Sequence, residues 1–211
     1  MKSVLVFCGA SPGRLPEYAE AGREFGRLAA ERRLEIIYGG ASVGMMGAVA
    51  DGALEAGGTV IGVIPQGLLE HEIAHAGVTK LHVVETMHER KALMAKLSDA
   101  VAALPGGSGT LDELFELFTW SQLGLHDKPL GLLDVAGYWQ PLLRFLDHAV
   151  AERFVPAHHL ETLLVERDGA ILLDRLATHE PRLKNKWLDR RDDDHTVPNT
   201  RSPASPNPGR I

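Results

Sequence analysis

Three glycines, a threonine and two acidic residues stand together at residues 104–113, which read LPGGSGTLDE. Glycines are expected where a backbone turns tightly or lets another molecule come close. The free amides at the start of a helix, with the positive end of its dipole, attract anions without the help of a lysine. The glycines could therefore form only a tight turn between a strand and a helix, or the segment could be a loop that binds a nucleotide phosphate.

Glu113 at the end of the same segment has two interpretations. Thr110 and Glu113 have the spacing of a T-x-x-E capping box, in which the threonine accepts an amide hydrogen bond and the glutamate binds the amide of the capping residue. Alternatively, the helix dipole keeps Glu113 ionised, and its carboxylate faces the sugar of a bound nucleotide as a base or as a stabilising anion. The spacing alone fits both interpretations.

Arg90 begins an apolar stripe in the segment TMHERKALMAKL, because Leu93, Met94 and Leu97 follow it at helical spacing. A lone arginine in such a place often packs its stem and leaves its head in water. A buried guanidinium instead requires an oxyanion, and phosphate or carboxylate fits its two parallel donors. Lys91 adds a second positive charge beside it.

Residues 71–75 read HEIAH, which matches the HExxH pattern of zinc hydrolases. That chemistry needs both histidines one turn apart on a stable helix, together with a third ligand. Pro65, Gly67 and Gly77 leave space for only a turn or two of helix, and the sequence offers no evident third ligand. We therefore interpret HEIAH as a polar loop near the site and expect no metal.

Short apolar runs alternate with segments of helical length, which predicts a parallel sheet covered on both faces. The fold class is thus a doubly wound, Rossmann-like α/β domain. The predicted strands are 3–8, 34–40, 59–65, 80–85, 100–105, 128–134 and 161–167, and the predicted helices lie near 16–33, 43–57, 87–98, 110–124, 138–152 and 169–178.

Three glycine-containing segments each follow an apolar run and precede a predicted helix: FCGASPG (7–13), YGGASVGMMG (38–47) and LPGGSGT (104–110). In an open parallel sheet the carboxyl ends of the strands share one edge, where ligands bind. LPGGSGT lacks the lysine of GxxxxGK[ST], and YGGASVGMMG does not fit GxGxxG. A phosphate site is expected at this edge, but ATP hydrolysis and dinucleotide redox chemistry are disfavoured.

Composition narrows the class of protein further. The 211 residues carry a formal net charge of −6, which gives no basic surface for nucleic acid. The single cysteine and an N-terminal apolar run of about five residues support neither a disulfide framework nor a signal peptide or membrane span. We predict a cytoplasmic protein with one domain over residues 1–183 and a disordered tail over 184–211, where mixed charge and prolines replace apolar residues.

The segments FCGASPG, YGGASVGMMG, MHERKALM, LPGGSGTLDELFE and TWSQLGLHDKPLGLL together resemble the Lonely Guy family, over roughly residues 3–165. The resemblance implies a cytokinin riboside 5'-monophosphate phosphoribohydrolase, which releases an N6-substituted adenine and ribose 5-phosphate, with AMP as a further substrate of some members. Many members carry the label "lysine decarboxylase", for which this sequence offers no pyridoxal phosphate lysine site. No cofactor is expected.

Site residues follow from the resemblance, position by position. It implies that Arg90 and Glu113 are the catalytic pair. It also implies nucleotide or substrate contacts by Gly107, Ser108, Gly109, Thr110, Lys91, Glu72 and Thr119. Ser108 replaces a frequent aromatic or aliphatic residue, and Ala41 replaces the third glycine of YGGGS, so base or phosphate fit could differ.

The resemblance also implies a homodimer with its sites near the interface. The predicted helix 110–124 agrees, because its apolar residues cover more than the single stripe that one sheet face can bury. A different class remains open, since the same loops could hold a nucleotide or phosphorylated cofactor without turnover, as a carrier or sensor. The pairing of Arg90 with Glu113 favours the enzyme.

Overall fold

The computed structural model describes residues 1–69 and 74–179. Its strands are β1 (Ser3–Phe7), β2 (Glu35–Tyr38), β3 (Val60–Pro65), β4 (Lys80–Val84), β5 (Ala100–Ala103), β6 (Leu130–Leu133) and β7 (Leu163–Glu166). Its helices are α1 (Pro16–Glu31), α2 (Gly44–Glu55), α3 (Gln66–Leu69), α4 (Met87–Leu97), α5 (Ser108–Gln122), α6 (Gln140–Ala151), α7 (Ala157–Leu160) and α8 (Gly169–Thr178), with a 3₁₀ turn at Val135–Gly137. Glu72 and the predicted tail 184–211 lie outside the described residues.

The strands form one sheet in the order β4-β3-β2-β1-β5-β6-β7, and every pair of neighbours is parallel. Central β1 pairs with β2 on one side, where Val4 faces Ile36, and with β5 on the other, where Leu5 faces Val101. All five residues of β1 are buried, as expected for a strand covered on both faces.

Two apolar cores lie on opposite faces of the sheet because successive side chains of a strand alternate. Val4 and Val6 of β1 belong to a core that includes residues of α1, α2 and α8. Leu5 and Phe7 belong to the other core, which includes residues of α4, α5 and α6. Helices on both faces of an all-parallel sheet confirm the doubly wound, Rossmann-like prediction.

The chain reverses its direction of winding between β1 and β5. From β1 it proceeds outward to β4 on one side, and then returns to place β5 beside β1 on the other. The connections that leave these two neighbouring strands run to opposite faces of the sheet, which opens a crevice at their carboxyl ends. Two of the three predicted glycine segments leave the sheet at this crevice.

In the described part of the chain, no helix is both long and apolar enough to cross a membrane.

Candidate active site

A cleft of about 540 Å³ lies at the carboxyl ends of β1 and β5. All three glycine-containing segments contribute to it, together with residues of α3, α4 and α5 and of the turn after β6. Its lining is Cys8, Gly9, Ala10, Ser11, Pro12, Gly13, Tyr18, Met45, Met46, Leu68, Met87, Arg90, Pro105, Gly106, Gly107, Ser108, Gly109, Thr110, Asp112, Glu113 and Tyr138. The predicted convergence of the glycine segments on one edge is therefore confirmed.

Backbone hydrogen bonds hold these segments against one another. The Gly9 amide donates to the Pro105 carbonyl at 3.0 Å, and the Met46 amide donates to the Gly9 carbonyl at 3.3 Å. Gly106 packs so closely that a Cβ on it would lie 2.1 Å from Thr110 Oγ1 and 2.8 Å from the Gly9 nitrogen. A side chain at Gly106 would push the loops apart, so the cleft requires glycine there.

Helix α5 begins at Ser108 with Gly107 as its N-cap residue, and no side chain caps it. Of the two interpretations of the T-x-x-E spacing, the capping box at Thr110 is therefore wrong, because Thr110 lies inside the helix. Gly107 adopts an extended conformation (φ −93°, ψ −153°), which lets the helix start before Thr110. The first amides of the helix have no intrahelical acceptor, and the N-cap residue Gly107 has no side chain that could accept from them. At the wall of a cleft, this arrangement suits an anion such as phosphate.

Glu113 lies on α5 little more than one turn after its first residue, and it lines the cleft. Its negative charge acts on the Cys8 thiol at the end of β1. Burial raises the pKa of the Cys8 thiol well above its ordinary range, and the negative charge of Glu113 raises it further. A carboxylate thus lines the same cleft as the start of α5.

Helix α4 begins with a capping box, formed by Thr86 and Glu89. The Glu89 amide donates to Thr86 Oγ1 at 3.1 Å, and Glu89 Oε2 accepts from the amides of Thr86 (3.3 Å) and Glu85 (2.8 Å). This cap fixes the first turn of α4. Arg90 follows directly in that turn, so the cap also fixes the position of its guanidinium.

Arg90 is only 5% exposed. Its Nη2 donates to the Gly39 carbonyl at 3.2 Å, and its Nη1 contacts Met87 Sδ at 3.8 Å. Its Nε has no hydrogen-bond partner among the described residues. A Cβ on Gly39 would lie 2.1 Å from Nη2, so a side chain there would displace the guanidinium from this position. The cleft thus contains a buried cation with donor capacity left for an oxyanion.

Lys91 and Thr119, both predicted to contact the nucleotide, are not among the residues that line the cleft. Lys91 Nζ nevertheless forms ion pairs with Asp112, which is a lining residue, at 3.1 Å and with Glu116 at 3.0 Å. Burial lowers the pKa of Lys91, but hydrogen bonds to Glu116 and Asp112 outweigh it, so the pKa is raised. Thr119 is exposed on α5, also outside the lining. Nucleotide contacts by Lys91, Thr119 and Glu72 stay predictions.

The described end of the HEIAH segment is not helical. Ala74 forms an isolated antiparallel β-bridge with Ala41, and the His75 amide donates to the Gly40 carbonyl at 2.9 Å. His75 Nε2 lies 3.0 Å from Asp51 Oδ1, and its Nδ1 accepts from the Gly77 amide. The HExxH pattern needs a helix through these positions, so this geometry does not support a zinc site.

Several lining residues were not identified from the sequence. Cys8 entered the sequence analysis only as a lone cysteine, although FCGASPG places it where β1 ends. Tyr138 lies at the end of the turn after β6, and its hydroxyl donates to the Gly106 carbonyl. The tyrosine had no signal of its own, because its contact joins segments 32 residues apart.

Comparison with known proteins identifies the family of the chain. A family model described as "Possible lysine decarboxylase" matches residues 46–176. A protein of Rhodococcoides fascians named cytokinin riboside 5'-monophosphate phosphoribohydrolase is 51% identical over 173 residues, 81% of this chain and 87% of that protein. An Arabidopsis thaliana protein of the same name is 44% identical over 180 residues, 85% of this chain and 83% of that protein.

The solved structures add a likeness of fold. The molybdenum cofactor carrier protein of Chlamydomonas reinhardtii superposes with a TM-score of 0.63 at 22% identity, covering 85% of this chain and 100% of that chain. At this identity the likeness concerns the fold alone.

The description of the family model raises the question of a pyridoxal phosphate site. Enzymes of that kind hold the cofactor as a Schiff base on a lysine. No lysine occurs among the residues that line the cleft in the described part of the chain. The lining therefore does not fit that cofactor.

Proposed function

Because the chain belongs to the Lonely Guy family of cytokinin riboside 5'-monophosphate phosphoribohydrolases, we propose that it cleaves the N-glycosidic bond of adenosine 5'-monophosphates. Its substrates are N6-substituted or plain, and its products are the free adenine-type base, a cytokinin when substituted, and ribose 5-phosphate. One observation carries the proposal: the uncapped start of α5, the buried Arg90 and Glu113 line one cleft.

The start of α5 is the proposed phosphate site. The amides of Gly107, Ser108, Gly109 and Thr110 would donate to the 5'-phosphate, whose charge the helix dipole also stabilises. Binding the phosphate holds the ribose in place against Glu113, and positioning of this kind lowers the barrier to reaction. A nucleoside without phosphate should therefore be a poor substrate.

Glu113 is the proposed catalytic carboxylate. When the bond between the sugar C1' and the base nitrogen breaks, the electron pair leaves with the base and positive charge develops on the ribose. A nearby carboxylate can stabilise that charge, as in sugar hydrolysis, or accept a proton from the attacking water. The place of Glu113 behind the phosphate-binding amides suits both roles.

Arg90 is assigned to binding and orientation. A guanidinium does not release its proton at neutral pH, so Arg90 cannot be the general acid. Its Nε is the donor that lacks a protein partner among the described residues, and it is available to a substrate oxygen. Gly39 holds the other end of the group through Nη2.

The proposal is tested by incubating the protein with AMP, N6-isopentenyl-AMP and adenosine, followed by chromatography for free base and for the sugar product. We expect base and ribose 5-phosphate from the two nucleotides and far slower release from adenosine. Equal rates for AMP and adenosine would contradict the phosphate site. Failure to release base from either nucleotide, although both bind, would favour the carrier or sensor alternative.

That alternative is weaker. The molybdenum cofactor carrier proteins resemble this chain at 22% identity, whereas the named phosphoribohydrolase of Rhodococcoides fascians is 51% identical. A carrier also has no evident need for a carboxylate next to its phosphate site.

We further propose a cytoplasmic homodimer. Leu111, Phe115 and Trp120 of α5 stay half-buried after α5 has packed against the sheet, and Phe145 and Phe154 are strongly exposed. An apolar surface of this kind suits a second copy of the chain. Light scattering should give twice the chain mass of 22.9 kDa, and a monomer would count against the dimer.

A further inference from the structure

Tyr138 binds the glycine segment of α5 through its hydroxyl, which donates to the Gly106 carbonyl. The residue is 37% exposed and belongs to the cleft lining. Its ring packs edge-on against Tyr18, with centroids 5.7 Å apart, and against buried Trp139, with centroids 4.9 Å apart. The phenol therefore has a fixed ring and one polar contact.

The turn that carries Tyr138 is held from several sides. Buried Asp134 accepts from the Trp139 amide at 2.8 Å and from Gln140 Nε2 at 2.7 Å. Between them, Ala136 adopts a left-handed conformation (φ 52°, ψ 27°). A non-glycine residue in that region costs free energy and persists only where surrounding contacts enforce it. These contacts thus hold a strained turn, and the turn fixes the position of Tyr138.

Three successive carbonyls precede the uncapped amides of α5, and each has a donor. The Pro105 carbonyl accepts from the Gly9 amide at 3.0 Å, and the Gly107 carbonyl accepts from the Leu111 amide at 3.1 Å. Both of those donors are backbone amides. The Gly106 carbonyl instead accepts from a side chain, that of Tyr138.

The Gly106–Gly107 peptide is the one most able to rotate, because neither of its residues has a Cβ. In a trans peptide the carbonyl and the following amide point in opposite directions. Rotation of this peptide would turn the Gly106 oxygen, with its partial negative charge, toward the side on which the Gly107 amide now lies. An anion at the start of α5 would then meet an acceptor instead of a donor.

We propose that Tyr138 is a positioning residue that holds the Gly106–Gly107 peptide in the orientation that accepts the 5'-phosphate. This inference rests on the proposed function, since it concerns the same phosphate site. Tyr138 acts through the loop and has no role in breaking the glycosidic bond. Its hydroxyl should therefore affect ligands that carry a phosphate and leave the binding of the base unaffected.

The test compares Tyr138→Phe with the wild-type protein, using ribose 5-phosphate and adenine as separate ligands in calorimetric titrations. Phenylalanine keeps the ring contacts and removes the hydroxyl. We expect ribose 5-phosphate to bind about fivefold to tenfold more weakly, the range expected for one hydrogen bond. Adenine affinity should stay within about twofold, a difference worth less than ~0.5 kcal/mol.

Tyr38→Phe is the matched control. Tyr38 is fully buried, and its hydroxyl has no hydrogen-bond partner in the described part of the chain. Its removal should leave the affinity for ribose 5-phosphate unchanged. Thermal melting of both variants reports whether the fold is retained.

Each result decides the proposal. Unchanged ribose 5-phosphate affinity in Tyr138→Phe would overturn it, and so would an equal loss for ribose 5-phosphate and adenine, with or without a lower melting temperature. Absence of ribose 5-phosphate binding to the wild-type protein would also overturn it. Base release from AMP by the wild-type protein, measured in parallel, shows whether the proposed function itself fails.

Discussion

Arg90 keeps a buried donor nitrogen without a partner among the described residues, an arrangement that costs free energy in a folded protein. Its stem lies at the head of an apolar stripe, and its head bonds to one backbone carbonyl. A buried polar group without a partner calls for an explanation, and a substrate oxygen supplies one. The cost in the free protein is then recovered when substrate binds.

We predict that Arg90 contributes to activity and not to stability. Arg90→Met should lower kcat/KM for AMP by about a hundredfold or more, because a charge-assisted contact to substrate is lost. Its melting temperature should stay within a few degrees of wild type or rise, because replacing a buried charge by an apolar residue of similar size is often neutral or stabilising. Enzyme assays and thermal unfolding measure the two effects.

Arg90→Lys serves as the control, because it keeps the charge and removes the planar donor fork. A lysine variant with full activity would contradict the role given to Nε. A methionine variant that unfolds well below the wild-type temperature would mean that Arg90 mainly stabilises the structure.

At the level of individual residues, the sequence predicted what depended on local spacing. The position of the Arg90 stem on an apolar stripe followed from the apolar residues at i+3, i+4 and i+7, but this spacing left the burial of its guanidinium open. Its acceptor, Gly39, was not predicted, because that contact requires the end of β2 to lie beside α4. The contact of Tyr138 with the Gly106 carbonyl was not predicted for the same reason. The two residues lie side by side only because β6 pairs with β5.

The two helices that begin at the cleft start in opposite ways. Thr86 and Glu89 cap α4 with side chains, whereas α5 starts from Gly107 with its first amides uncapped. Side-chain caps satisfy amides and stabilise a helix, so an uncapped start leaves those donors available. The difference gives the start of α4 a role in stability and supports the proposal that the start of α5 binds an anion.

Thr86→Ala should therefore destabilise the protein by about 1 kcal/mol, the usual cost of losing an N-cap. For a chain of this size that corresponds to a decrease of roughly 2–4 °C in melting temperature. Glu113→Gln, in the helix without the box, should melt at the wild-type temperature. A larger loss of stability from Glu113→Gln than from Thr86→Ala would restore the capping interpretation of Glu113.

At the level of elements, all seven predicted strands and the six predicted helices are present, with ends shifted by a few residues. Short apolar runs that alternate with segments of helical length identified these elements in the sequence. The short helices α3 and α7 and the 3₁₀ turn at Val135–Gly137 were not predicted, because three or four residues are too few to show a period. The T-x-x-E spacing occurs at both helix starts, and only the backbone at Gly107 shows that Thr110 does not cap α5.

The whole molecule has two cores separated by the sheet, and Cys8 and Tyr38 lie in the one that includes α1, α2 and α8. Both carry ionisable groups near the cleft end of neighbouring strands. Burial is the main cause that raises the pKa of each, with added contributions from Glu113 for Cys8 and from the Cys8 and Asp51 charges for Tyr38. Both groups are therefore neutral in the folded protein at neutral pH.

These raised pKa values make the free energy of unfolding decrease at high pH. Above the ordinary thiol value of 9.0 and the ordinary phenol value of 10.0, the unfolded chain releases protons that the folded chain retains. The free energy of unfolding should thus be level up to about pH 8 and then fall, by up to about 1.4 kcal/mol per pH unit for each group. Urea unfolding between pH 7 and 11 measures this dependence.

Cys8→Ala should flatten the first part of that decrease, between about pH 9 and 10, where the unfolded thiol ionises first. Tyr38→Phe should flatten the part above pH 10. Stability that rises with pH over this range, or slopes that neither variant changes, would show that these groups titrate in the folded protein.

At the scale of the molecule, the sheet and the edge that bears the site were predictable, because parallel strands fix where their carboxyl ends lie. The strand order was not, since several windings share the same sequence of elements. The position of the cleft between β1 and β5 therefore emerged only from the structure.

The central claim is that Glu113 acts on a nucleotide held at the start of α5, and Glu113→Gln tests it most directly. With AMP as substrate, the variant should release free base at least about a hundredfold more slowly, in the range expected for a catalytic carboxylate. Its affinity for AMP should stay within about threefold of wild type, because the backbone amides that bind the phosphate are unchanged. Base release at the wild-type rate would contradict the claim, and so would loss of AMP binding in step with loss of turnover.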